Sequence, residues 1–163
     1  MEEDGWVKHL RDLFNLDNQT MLHLVGTGNP LRMDDGLGLE IISNLRRLCH
    51  ASEYFKIHSP SLRAESILSG IDYARDKALI FDAVDFNAIP GSILFSSLHN
   101  SKFGFFSTHN IPVRELPNIA SHLDKLFLLG IQPTNVEVGE GLSTPVCDSV
   151  EKVISVLTEI MIR

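Results

Sequence analysis

Short apolar runs that alternate with helical stretches predict an α/β protein: a three-layer sandwich with a mainly parallel five-stranded sheet between helices. Size and composition agree with one such domain. The chain has 163 residues, of which 44% are apolar and 21% charged, enough for a single core and close to an ordinary globular protein. No internal repeat, low-complexity tract or charge block breaks the pattern.

The elements follow in order. Trp6, Leu10, Leu13 and Phe14 recur at helical spacing and predict an amphipathic helix over 5–15. LDNQT breaks it, so residues 1–20 read as an N-terminal extension and 21–163 as one α/β domain. MLHLVG (21–26), ending in glycine, is the first strand. Leu37, Leu39, Ile41, Ile42, Leu45 and Leu48 predict a helix over 35–49. YFKIH (54–58) is a short second strand, and Leu62, Ile67, Leu68 and Ile71 predict a helix over 62–73. KALIFDAV contains a buried third strand, SILFSS (92–97) a fourth, and LFLLGIQP a fifth. Helices are expected at 111–123 and 145–162. The last has Thr144 placed to cap it and Pro145 at its first position.

Composition also excludes classes of function. The formal net charge of -7 lacks the basic face that nucleic acid or an anionic membrane would require. Nowhere do about 18 apolar residues run together, so no transmembrane helix is expected. The N-terminus begins acidic, unlike a secretory signal. Cys49 and Cys147 form no CxxC pair, which removes zinc-ribbon and thioredoxin-type chemistry. Both are expected to be small core residues in a reducing compartment.

In a parallel α/β sheet, function gathers at the carboxyl ends of the strands. The first strand runs into Gly26-Thr27-Gly28-Asn29-Pro30-Leu31-Arg32-Met33-Asp34-Asp35-Gly36. A dinucleotide fingerprint would need glycine at Leu31 and an acid after the second strand, where His58-Ser59 stand instead. Neighbouring side chains on a helix point about 100° apart, so Asp34 and Asp35 cannot both face one site. Asp34 reads as a cap complementing the helix dipole; Asp35 remains a site candidate. Asp82 follows four apolar residues of the third strand, where a charge is costly unless it caps a helix, pairs with an arginine or serves a site. His109, between the fourth strand and the next helix, reads either as a cap, as a surface group or as a third member on the same sheet edge.

Asp35, Asp82 and His109 would make an O,O,N set able to hold a divalent first-row metal with positions left open. Such a site can polarise a carbonyl and supply activated water. No GxSxG elbow or HExxH motif offers a competing device.

GTGNPLRMDDGLGLEI, LIFDAV, STHNIPV and FLLGIQP stand in the order found in hydrogenase maturation endopeptidases. The chain resembles that family from about Leu22 to the final helix. It is most similar to the type that processes the large subunit of the formate hydrogenlyase hydrogenase. The resemblance implies a twisted five-stranded sheet flanked by helices. It also implies an activity: removal of a C-terminal extension from a [NiFe]-hydrogenase large-subunit precursor once nickel is in place. The family's metal-contacting acids fall on Asp35 and Asp82 and its histidine on His109. Nickel is then supplied with the substrate, no organic cofactor is needed, and a cytoplasmic monomer without nucleic-acid or membrane partners is expected. One departure stands out. Where family members have acid-glycine-glycine after the second strand, this chain has the stiffer, neutral His58-Ser59-Pro60-Ser61. A non-catalytic metal-binding module, a related α/β peptidase with another substrate and, more remotely, a nucleotide-binding domain are the alternatives.

Overall fold

The computed structural model describes residues 4–50, 52–99, 116 and 118–162. Five strands, β1 (Leu22–Gly26), β2 (Phe55–Ile57), β3 (Lys77–Ala83), β4 (Ile93–Ser97) and β5 (Leu126–Ile131), form one sheet in the order β2-β1-β3-β5-β4. β1 pairs in parallel with β2 and β3, and β3 in parallel with β5; β4 alone runs antiparallel, along β5. The fold is therefore α/β with a mixed, mostly parallel sheet.

Strand alternation sends each sequence to two cores. Leu22 and Leu24 of β1, Leu79 and Phe81 of β3, and Leu129 and Ile131 of β5 face one side. There they meet α1 (Gly5–Phe14), α2 (Leu37–Leu48) and α4 (Thr144–Ile162). Val25, Ala78, Ile80 and Leu126 face the other side, a smaller core closed by α3 (Ala64–Ser69), Ile71, Tyr73 and Ile119. Each fully buried leucine or isoleucine contributes about 1.5–3 kcal/mol relative to exposure.

The N-terminal helix is part of the larger core. Trp6, Val7, Leu10 and Leu13 are buried. His9 stacks on Phe95 of β4, with ring centres 5.5 Å apart. Lys152 of α4 bonds Asp4 and lies over the Trp6 ring.

Several boundaries differ from the sequence expectation. The helix expected from residue 35 starts at Leu37, after a 3-10 turn over Met33–Gly36. The helix expected over 62–73 stops at Ser69. Beyond Gly70, Arg75 N and Asp76 N turn back to Asp72 O, a local turn that competes with helix continuation. Of the helix expected over 111–123, residues 111–115 and 117 lie outside the described residues; the described part, 116 and 118–123, is turn rather than α-helix and leads into a single 3-10 turn, Leu123–Lys125. α4 begins at Thr144, and Cys147 N donates to Ser143 O, so Ser143 rather than Thr144 takes the capping position. Cys49 is buried, but Cys147 is only half-buried; both thiols are free. No helix among the described residues is long and apolar enough to cross a membrane.

Candidate active site at the carboxyl edge of the sheet

β1 ends in the turn that carries the first acid, and that turn is pressed hard against its neighbours. Thr27 N donates to Phe81 O of β3 at 3.0 Å. Gly28 has φ +141°, and the space a Cβ would need is filled by the carbonyl of Asp35. At Gly38 the same space is filled by the carbonyls of Phe81 and Thr27. These glycines let the start of α2 seat directly on the ends of β1 and β3, a close-packing role that calls for no phosphate.

Asp35 lies in the 3-10 turn and is fully buried. Its Oδ2 accepts a hydrogen bond from Asn29 N at 3.1 Å, while its own amide donates to Arg32 O. Asp82 is the penultimate residue of β3, 1% exposed, and its Oδ1 accepts from Ala83 N at 2.8 Å. The 3-10 turn packs against β3, so both acids reach the same edge of the sheet from adjacent strands. His109, the third expected member, lies outside the described residues. Among the described residues no three His, Cys, Asp or Glu side chains form a group able to hold a metal ion.

Asp34 corrects its expected role. It is fully buried and caps nothing, since the turn has no side-chain cap. Its carboxylate instead accepts from Thr134 N (2.8 Å), Asn135 N (3.1 Å), Ser143 N (2.7 Å) and Ser143 Oγ (2.8 Å). It staples the 134–143 loop beyond β5 to the turn that carries Asp35. The two adjacent acids face apart, as helical geometry requires.

Gln132 does the same for the loop after β3. It is buried, its Oε1 accepts from Phe86 N and Ala88 N, and its Nε2 donates to Asp85 Oδ1. A cleft of about 260 Å³ opens beside the Asp35 turn, lined by Gly26–Gly28, Leu39 and residues 60–65. Its outer wall is the segment that replaces acid-glycine-glycine.

That segment begins with a histidine that sequence reasoning passed over. His58 Nε2 lies 2.8 Å from His23 Nδ1, and His23 Nε2 lies 3.3 Å from Asp76 Oδ2. The imidazole planes are within 20° and their centres 5.1 Å apart, so the rings meet end to end across a shared proton. Burial, then the positive charges at His23, Lys56 and Arg46, push His58 down to about 4. The only signal in the sequence is a histidine within each of two adjacent strands, which pattern reading treats as unrelated.

The solved structure of HycI, a [NiFe]-hydrogenase maturation protease from Thermococcus kodakarensis KOD1, superposes with a TM-score of 0.76. It covers 95% of this chain and 99% of its own at 23% identity, a likeness of fold. The family model described as HycI, hydrogenase maturation protease, matches residues 40–160. The chain therefore belongs to the hydrogenase maturation protease family, and its class is that of hydrolases acting on protein. A putative hydrogenase maturation protease of Methanocaldococcus jannaschii is 29% identical over 141 residues, 82% of this chain and 92% of that protein. The delta subunit of the coenzyme F420 hydrogenase of Methanothermobacter thermautotrophicus is 27% identical over 150 residues, 83% of this chain and 91% of that one.

Proposed function

We propose that this chain removes the C-terminal extension of a [NiFe]-hydrogenase large-subunit precursor after nickel insertion, with Asp35, Asp82 and His109 reading the nickel that the substrate carries. The observation that carries this reading is the burial of two carboxylates on one sheet edge, in a chain of this family. Burying a carboxylate costs several kcal/mol that hydrogen bonds and charges must offset, so two of them kept at one sheet edge call for a reason. Each of these two accepts an amide hydrogen bond that fixes its orientation.

In this reading the two carboxylates and the imidazole of His109 grip the exposed side of a metal already held by the precursor. Nickel supplies a Lewis acid beside the scissile segment. The protein's own part is positional. Asn29 N holds Asp35 and Ala83 N holds Asp82, while the precursor's extended tail lies along the cleft beside Gly26–Gly28. Cleavage then waits for correct loading. The nickel is substrate, no resident metal or organic cofactor is required, and residues 21–163 carry the peptidase fold, with the helix of the 1–20 extension packed into its larger core. Two free thiols fit a reducing compartment such as the cytoplasm, and this reading takes the protein as a monomer there.

The test is to incubate the protein with nickel-loaded and nickel-free precursor and follow precursor length on a gel. Shortening of the loaded form alone is the expected result. Equal shortening of both overturns nickel reading, and shortening of neither overturns the peptidase assignment.

A further inference from the structure

The described chain exposes seven large apolar side chains, and four of them sit on one edge. Leu31 (59% exposed) lies in the loop after β1 and Leu62 (54%) in the loop after β2. Ile89 (81%) lies in the loop after β3 and Val138 (90%) in the loop after β5. These are the loops at the carboxyl ends of all four parallel strands, so the four side chains stand on the sheet edge that carries Asp35 and Asp82. Single exposed apolar residues are ordinary; a set confined to the loops around one site is informative.

The loops are also held rigid. Gly139 N donates to Leu31 O and Met33 N to Gly139 O, both at 2.9 Å, so the tips bearing Leu31 and Val138 are zipped together. Arg32 Nε donates to Val136 O across the same seam at 3.1 Å. Asp34 staples the base of this double tip, and Gln132 staples the loop bearing Ile89. A loop whose backbone is fixed before contact loses little entropy on binding, which is what a docking surface requires.

We propose that Leu31, Leu62, Ile89 and Val138 form a preorganised rim that docks on an apolar patch of the precursor's folded body, a patch carrying lysine or arginine where it meets Val138. The inference rests on the proposed peptidase reading and names the part of the substrate, away from the scissile tail, that selects it. Two observations choose this occupant. Four side chains fall well short of the ~800 Å² per partner that a stable dimer buries, which fits a transient substrate encounter. Exposed Glu137 and Glu140 bracket Val138, whereas exposed Arg32 and Arg63 adjoin Leu31 and Leu62; the acidic end of the rim therefore favours lysine or arginine opposite Val138, and the net charge of -7 disfavours an anionic lipid surface.

The test compares wild type, a Leu31→Ser/Val138→Ser variant and a Leu48→Ser/Tyr54→Ser variant, whose exposed apolar residues lie off the rim. Each is measured against a nickel-loaded large-subunit precursor for affinity, KM and kcat, with thermal melts to verify folding. The rim variant should bind about tenfold more weakly and raise KM by a like factor, with kcat within about twofold. The off-rim variant should match wild type in all three. A rim variant with unchanged affinity and KM, or an off-rim variant that loses as much, overturns the docking surface while leaving the peptidase reading intact. A wild type that binds through the rim but leaves the precursor uncut overturns the peptidase reading and keeps the surface. Wild type that neither binds nor cuts overturns both.

Discussion

Ser143 donates both its amide and its hydroxyl to the carboxylate of Asp34, 109 positions earlier, at 2.7 and 2.8 Å. Asp34 is thereby committed to holding the fold, and in the proposed reading Asp35 is the acid that meets the substrate.

The two acids should therefore separate by experiment. Asp34→Ala strands three half-buried amide donors and unties the loop they anchor, and should cost about 2–4 kcal/mol, a fall in melting temperature of roughly 5–15 °C. Asp35→Asn keeps the shape of the side chain and should change stability by less than about 1 kcal/mol while abolishing processing. Thermal melts and a precursor gel on both variants check this; equal loss of stability would refute the division of roles.

Asp82→Asn and His109→Ala should fold like wild type and lose at least ~100-fold in processing rate, because losing a ligand weakens the grip on a cation far more than it disturbs the core. Circular dichroism and single-turnover cleavage read the two effects separately. Full activity in either purified variant removes that residue from the site.

The His58–His23 contact predicts a pH response. In the folded chain His58 titrates at about 4, below its ordinary 6.5, so between these values the unfolded chain binds more protons. Stability from this group is present above pH ~6.5 and is lost as pH falls towards 4. Because His58 is only half-buried, solvent screening limits the loss to about 1 kcal/mol. Urea titrations at several pH values, on wild type and His58→Gln, should show the slope flattening in the variant. An unchanged slope would show that another group carries it.

Gly38→Ala should destabilise the protein by about 3 kcal/mol or more, since the new methyl meets two backbone carbonyls that cannot rotate away. Gly5→Ala, in open space on the first helix, should stabilise slightly if anything. Paired denaturation curves decide it, and a fully stable Gly38→Ala would contradict the packing.

The fold was legible because its signals are local. The apolar runs at 21–26 and 77–84 and the helical spacing of 37–48 survive almost unchanged as β1, β3 and α2. Asp82 was legible as a candidate because a carboxylate directly after an apolar run is costly and calls for a reason, and Asp35 because it follows the first strand where a helix begins. What failed to show was anything joined across the chain. Asp34 read as a helix cap because its true partners, at 134–143, are remote in sequence. His58 read as a neutral replacement because its bond to His23 exists only once β2 lies beside β1. The short span of α3 was missed for a different reason: apolar spacing continued past Ser69, but Gly70 and the Asp72 turn stopped the helix first.

The close seating of Gly28 and Gly38 has a consequence for how this loop can vary through descent. Selection filters it twice, once for what Asp35 does and once for whether a methyl fits beneath a carbonyl, and the second filter acts on residues that meet no substrate. In any set of relatives sharing this packing, those glycines would stay as fixed as the acid beside them. Invariance alone would then mark Gly28, Asp35 and Gly38 as equally chemical, when the packing separates one acid from the steric frame that holds it.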